Sequence, residues 1–270
     1  MKSKSIAIPY VIWMAIFVVA PLILVVVYAF SSKSGGFTLD NFATMTQFLG
    51  VFGLSFLLAL IATAICILIG YPLAYLLARE GPGVRRIAMM LIMLPMWMNY
   101  LLRTYSWMFL LEKNGLINSL LRLMGLPGLN IINTQGAVVL GMVYNFLPFM
   151  VLPIFSVIEK IDDRVIEAAQ DLGADSFTVF RRVIFPLSLP GVLSGITMVF
   201  IPSVSTFVIS RLLGGGKSLL LGDLIELQFL GGAYNPQLGS AIALVMMLIV
   251  LVSMAVMNRF GEGEEGAVML

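Results

Sequence analysis

Apolar residues in this chain come in long blocks, with the polar residues gathered between them. Six blocks stand out, running Ile8 to Phe30, Val51 to Ala78, Ile87 to Leu111, Gly136 to Val157, Leu187 to Ser210 and Leu238 to Asn258. Each holds about 20 residues or more, the length at which a helix rising about 1.5 Å per residue crosses about 30 Å of hydrocarbon. The pattern predicts an all-α integral membrane protein with about six transmembrane helices. Prolines inside the blocks, such as Pro21, Pro72, Pro95, Pro148 and Pro202, predict kinks rather than ends, because neighbouring helices satisfy the freed carbonyls. The first block follows Lys2 and Lys4 but outruns a signal-peptide h-region of about 7 to 15 residues, so it reads as an uncleaved span. The chain divides into 1–50 (first helix and external segment), 51–258 (membrane core) and 259–270, a short cytoplasmic tail whose polar stretch from Gly261 to Gly266 is expected to be disordered.

Composition agrees with the pattern and removes several kinds of function. Of the 270 residues, 60% are hydrophobic and 11% charged, against about 25% charged in an ordinary soluble domain. There is no histidine and a single cysteine, Cys66, within an apolar block. An intramolecular disulfide and a Cys/His metal cluster are both excluded, and no convincing nucleophile and base pair is present. The expectation is therefore no catalytic residue, no metal, no cofactor and no nucleic-acid partner. The blocks also lack the Asp, Glu or His that a proton-coupled secondary transporter keeps at the midplane, and their one ionisable exception is Arg103.

The basic residues orient the bundle. With the N-terminus inside, the cytoplasmic segments hold Lys2, Lys4, Arg79, Arg85, Arg86, Lys160, Arg164, Arg181, Arg182 and Arg259, while Lys33, Arg103, Lys113, Arg122, Arg211 and Lys217 fall on the other side. This positive-inside bias places both termini in the cytoplasm.

The segment between the fourth and fifth blocks, about 158–186, is far longer than a simple connection needs. Ile161, Val165, Ala168, Ala169 and Leu172 recur at helical spacing, Gly173 stands where a left-handed residue ends a helix, and Asp175 or Ser176 is placed to cap a second helix. Pro186 and Pro190 are expected to redirect that second helix into the fifth span. Two short amphipathic helices on the cytoplasmic face either insert into a groove on a soluble partner or pack on their own bundle, and the residues alone leave both open.

Here the segment resembles the EAA loop of ABC importer permeases, whose pattern is E-A-A, three residues, G, nine residues, then I-x-L-P. Glu167, Ala168, Ala169, Gly173 and Pro186 stand at that spacing, with Val183 for the isoleucine and Phe185 for the leucine. Gly70 to Arg79, Leu94 to Trp107, Leu147 to Asp162, Glu167 to Ala174 and Gly214 to Leu230 are similar to one branch, the spermidine/putrescine permeases of the PotB type. The resemblance implies a type I permease fold in a bacterial cytoplasmic membrane. It further implies a second homologous permease subunit, a dimer of ABC ATPase subunits docking on the EAA loop, an extracytoplasmic polyamine-binding protein, and surrounding membrane lipid.

One motif points elsewhere. Gly214 to Ser218 reads GGGKS, but the phosphate-binding pattern needs a glycine where Arg211 stands, and a preceding strand where this chain has a span. The stretch reads as a flexible external loop, so energy must come from another subunit. Trp97, Tyr100, Tyr105, Tyr144, Ser203 and Thr206 are candidate pathway residues, the aromatic ones through cation–π contact with ammonium groups. Glu112, Asp223 and Glu226 are candidates for attracting a cation at the external entrance. Arg103 is unsuited to a cation path and is expected to pair with a carboxylate or a helix C-terminus, or to snorkel outward.

Overall fold

Residues 4–216 and 218–265 are described by the structure, a computed structural model; Lys2, Lys217 and the residues after Glu265 lie outside that set. Among the described residues, five helices are long and apolar enough to cross a membrane: Ile8–Ala29, Asp40–Arg79, Gln135–Ile158, Ser176–Ser205 and Pro236–Met257. A bent pair, Pro82–Trp97 with Tyr100–Leu123, brings the number to six. We call them the first to sixth spans in chain order, the bent pair being the third.

Small residues explain which spans sit at the centre. Lipid tails give no hydrophobic drive between helices, so association rests on close packing at narrow surfaces. The second span carries Ala59, Ala62, Cys66, Gly70 and Ala74 at helical spacing, all buried. A Cβ on Gly70 would stand 3.0 Å from Met150 of the fourth span, and one on Gly191 of the fifth 2.8 Å from the Pro153 carbonyl oxygen. Met150, Val151 and Ile154, 0% exposed, lie where these three spans meet. The first span, by contrast, buries none of its apolar window and packs on the sixth.

Four expectations need correction. The third span breaks near Pro95, where a kink within one helix was expected. Pro95 leaves its helix short of a donor, that helix ends at Trp97, and the chain restarts at 93° with the Asn99 side chain accepting from the N–H groups of Leu101 (2.9 Å) and Leu102 (3.3 Å). Next, Pro186 and Pro190 do not redirect the helix into the fifth span. The chain runs on as helix from Ser176 to Ser205, and a π-helical turn at Phe180–Ile184, directly before Pro186, absorbs the local break in hydrogen bonding.

The fifth span stops at Ser205, and the stretch read as a flexible external loop is packed at Gly214 and Ser218, with Gly215 and Gly216 exposed. Helices Val208–Gly214 and Leu221–Leu230 form a second hairpin with Leu213, Leu220 and Leu221 at 0% exposure. Gly215 (φ +60°) and Gly216 (φ +71°) make its turn. Lastly, the helix of the sixth span runs on to Glu265, so the disorder expected from Gly261 to Gly266 is not found over 261–265, and Gly266 lies outside the described residues.

Candidate functional site

The motif-bearing segment folds as two short helices, and its capping residues explain both. The fourth span ends at Ile158, and Asp162 starts helix Asp163–Asp171 by accepting from the Arg164 N–H (3.0 Å). That helix closes in a Schellman arrangement. The Gly173 N–H donates to the Gln170 carbonyl (2.8 Å) and the Ala174 N–H to Ala169 (3.1 Å), with Gly173 left-handed at φ +87°. Asp175 then caps the next helix, accepting from the Thr178 N–H (3.2 Å). Hydrogen bonding with the Thr178 side chain and then its backbone holds this exposed carboxyl below its ordinary pKa.

The hairpin grips its own bundle by one face only. Ile166, Val179 and Ile184 are buried, and they join Ile158, Tyr71, Ala74 and Leu77 in the main core. Sequence periodicity grouped Ile161, Val165, Ala168, Ala169 and Leu172 as one apolar face; the structure divides them. Ile161 and Ala169 pack inward. Val165, Ala168 and Leu172 face out with Glu167, Leu172 being 90% exposed and Phe177 on the next helix 67%. Between the helices lies an open groove of about 470 Å³ lined by Ala169, Gly173, Ala174, Thr178, Arg182 and Val183, among others. Phe185 and Pro186 lie at the root of the hairpin, away from that groove.

Several residues that fix this root escaped the sequence reading. Phe180 meets Tyr71 and Tyr75 of the second span edge-on at 5.8 and 5.5 Å, and Phe185 lies 5.8 Å from Tyr71. The Ser188 hydroxyl donates to the Phe185 carbonyl (2.9 Å), which leaves the Tyr71 hydroxyl to donate to Ser188 (2.8 Å). Arg85, in the first turn of helix Pro82–Trp97, pairs with Glu159 at 2.6 Å and also donates to the carbonyl of Glu80 (3.1 Å). The i, i+4 pair Tyr71 and Tyr75 in GYPLAY was the available signal.

At the opposite end of the bundle the structure brings together three of the six pathway candidates. The Tyr100 and Thr206 hydroxyls lie 3.3 Å apart. Arg103 lies between the rings of Tyr100 (6.0 Å) and Tyr144 (5.7 Å), and Tyr144 meets Trp107 edge-on at 5.1 Å. The others stand apart: Trp97 is 80% exposed, Tyr105 is exposed, and the buried Ser203 donates to Val199 in its own helix (2.7 Å). Arg103, buried, donates to the Pro95 carbonyl at 2.5 Å, which lies at the C-terminal end of helix Pro82–Trp97. That is the helix end that favours a cation, one of the pairings expected of it.

The three external carboxylates differ in setting. Glu112 is exposed. Asp223 is buried and accepts from the Leu220 N–H (3.0 Å), capping helix Leu221–Leu230, whose Leu221 N–H donates to Ser55 (2.8 Å). Glu226 is paired with Arg211. Both of the latter are thus engaged within the second hairpin. The Leu220 to Asp223 spacing of an acidic N3 residue was the missed cue.

Comparison with known proteins places these features in a family. The model of the binding-protein-dependent transport system inner membrane component matches residues 67–262. A spermidine/putrescine transport system permease protein PotB from Haemophilus influenzae is 37% identical over 257 residues, 92% of this chain and 90% of its own length. The protein of the same description from Escherichia coli K12 is 36% identical over 253 residues, 89% of this chain and 92% of the relative. Among solved structures, a bacterial ABC transporter that imports the acidic polysaccharide alginate gives a TM-score of 0.78 at 20% identity, covering 96% of this chain and 94% of that one. The inward-facing MetNI methionine ABC transporter gives 0.61 at 16% identity, over 82% and 97%. These structural likenesses speak to the fold.

Proposed function

Because the chain belongs to the family of binding-protein-dependent transport system inner membrane components, we propose that it forms half of a polyamine translocation pathway, beside a second homologous permease. As a permease subunit it is not itself an enzyme; ATP is hydrolysed on a separate partner. The substrate reading rests on the two relatives named for spermidine and putrescine.

The observation that carries the docking role is the division of the motif hairpin into an anchored and a bare face. Ile166, Val179 and Ile184 hold it to the bundle while Val165, Ala168 and Leu172 form an uncovered apolar stripe. We assign to that stripe, with Glu167, Ala169, Gly173 and Val183 beside it, contact with one subunit of an ATPase dimer; Phe185 and Pro186 transmit the contact at the root. Closure of the dimer pulls on a hairpin that is continuous with the fifth span, and the span moves as one body with it. The basic-residue bias and this docking role together put both termini on the cytoplasmic side.

For the pathway, Tyr100, Tyr144 and Thr206 are the grouped candidates; Arg103 already occupies the two rings, so the Tyr100 and Thr206 hydroxyls are the groups left to make weak contacts with a passing ammonium group. A conduit must release what it admits, which suits weak polar lining better than a tight cage. Trp97, Tyr105 and Ser203 remain peripheral to that cluster, and of the three external carboxylates Glu112 is the one free to attract a cation. A polyamine-binding protein would deliver the solute on that side.

The test is reconstitution of the complete complex in liposomes, followed by ATP-dependent uptake with the binding protein loaded with spermidine, putrescine, an amino acid or a sugar. Polyamine uptake is expected. Uptake of a sugar or amino acid without polyamine would overturn the substrate while leaving the permease role intact.

A further inference from the structure

The second half of the third span ends in a three-sided helix, Leu116–Leu123, that no part of the transport reading uses. Ile117, Leu121 and Asn118 are turned toward the protein. Ile117 packs on the core, and Asn118 is buried, donating to the carbonyls of Glu112 and Leu129 (both 2.9 Å) and accepting from the Leu129 N–H (2.6 Å). A second side carries Ser119 and Arg122, whose guanidinium donates to the Asn118 carbonyl (3.3 Å) and to Lys113 and Asn114. The third side is bare: Leu116 is 60% exposed, Leu120 52%, Leu123 84% and Met124 73%. Gly125, left-handed at φ +72°, ends the helix and turns the chain back.

The geometry points to this helix lying in the bilayer interface at the end of the bundle opposite the docking hairpin, with its leucine side in the acyl boundary and its cations at phospholipid phosphates. Three observations select lipid as the occupant. The arm Tyr100–Leu123 stands at 93° to Pro82–Trp97, so if the latter crosses the bilayer, the arm runs along the membrane plane. The same arm leaves Leu101, Leu102 and Phe109 exposed as well, so bare apolar side chains recur along its length. The charges of the segment from Glu112 to Thr134 are Glu112, Lys113 and Arg122, a net of +1, and an exposed lysine beside a leucine stripe complements an anionic headgroup layer. An apolar stripe with a basic flank is the usual pattern of helices that lie in the headgroup region.

Leu120→Cys and Leu123→Cys, each in a Cys66→Ala background and carrying an environment-sensitive fluorophore, test the assignment in the complete transporter in nanodiscs. Nitroxide lipids labelled at the 5 or 12 position of the acyl chain act as quenchers, with Ser34→Cys in the exposed external turn as the aqueous control. The expected result is stronger quenching by the shallow label than the deep one, protection from iodide, and neither effect at position 34. With Lys113→Gln, the gain in quenching from adding phosphatidylglycerol to phosphatidylcholine should fall by about threefold. Iodide access with no lipid quenching would overturn the proposal. So would shielding that arises only when the binding protein is added, which would give the leucine side to a protein partner. Quenching that is the same with and without Lys113→Gln in both lipids would remove the headgroup contact.

Discussion

Two helix–glycine–helix hairpins stand at opposite ends of this molecule, and they are finished by different things. The motif hairpin turns at Gly173, around which a Cβ would meet no atom within 4 Å, and it leaves Leu172 90% and Phe177 67% exposed. The far hairpin turns at Gly215, where a Cβ would come within 2.9 Å of three Asn133 atoms, and its Leu213, Leu220 and Leu221 are wholly buried. Similar local chemistry thus yields one unit completed by its own bundle and another that presents apolar surface. Exposed apolar groups held on a capped, anchored frame are what an interface needs before its partner arrives.

The sharpest way to break the contrast is Gly222→Val in the far hairpin. A Cβ there would stand 2.5 and 2.6 Å from the Ser205 and Thr206 carbonyl oxygens, backbone atoms that cannot rotate away. A loss of roughly 3 kcal/mol is expected, read as a lower unfolding temperature and less assembled complex in detergent. Normal yield and melting would mean that the bundle does not hold this hairpin.

Leu172→Ser tests the other side. Truncating an interface anchor costs about 2 kcal/mol of binding, roughly 30-fold in Kd for the ATPase, while a surface change leaves the isolated chain within about 0.5 kcal/mol. Unchanged ATPase affinity would remove Leu172 from the docking surface. A step smaller is Gly173→Val, where the left-handed φ costs a β-branched residue about 1–2 kcal/mol in open space. Membrane insertion should persist and coupled transport fall by about tenfold; wild-type transport would overturn the docking assignment. The smallest effect belongs to Arg85→Gln. With side-chain exposures of 29% and 42%, the Arg85 and Glu159 pair contributes about 0.5 kcal/mol, and the difference from wild type in melting should vanish in about 1 M salt.

The membrane fold and the motif hairpin were legible because both are local signals. Span length is counted along the chain, and the Asp162 cap, Gly173 and Asp175 cap each act within four residues. What the sequence hid was set by other elements. Alternation alone could not say that Ile166 faces the bundle while Val165 and Leu172 do not, since both sets fit a helical period. Burial of Leu213, Leu220 and Leu221 depends on Asn133, on Ser55 and on the end of the fifth span, all supplied by other elements. The bend at Met98 was half visible: Pro95 was read as a kink, but nothing marked Asn99 as the cap of a new helix. Of the pathway candidates, Tyr100, Tyr144 and Thr206 come together only because that bend carries Tyr100 to the fifth span.

The π-helical turn at Phe180–Ile184 fixes an azimuth. A π turn holds about one residue more than the α turn it interrupts, and each α residue advances about 100° around the axis. Removing one residue there would leave both flanking helices intact and as long as before, yet rotate Phe177 and the groove around the axis relative to the buried face of the fifth span. The docking surface would then be complete but aimed elsewhere, so the direction in which a push from below turns the span depends on a single surplus residue in the joint.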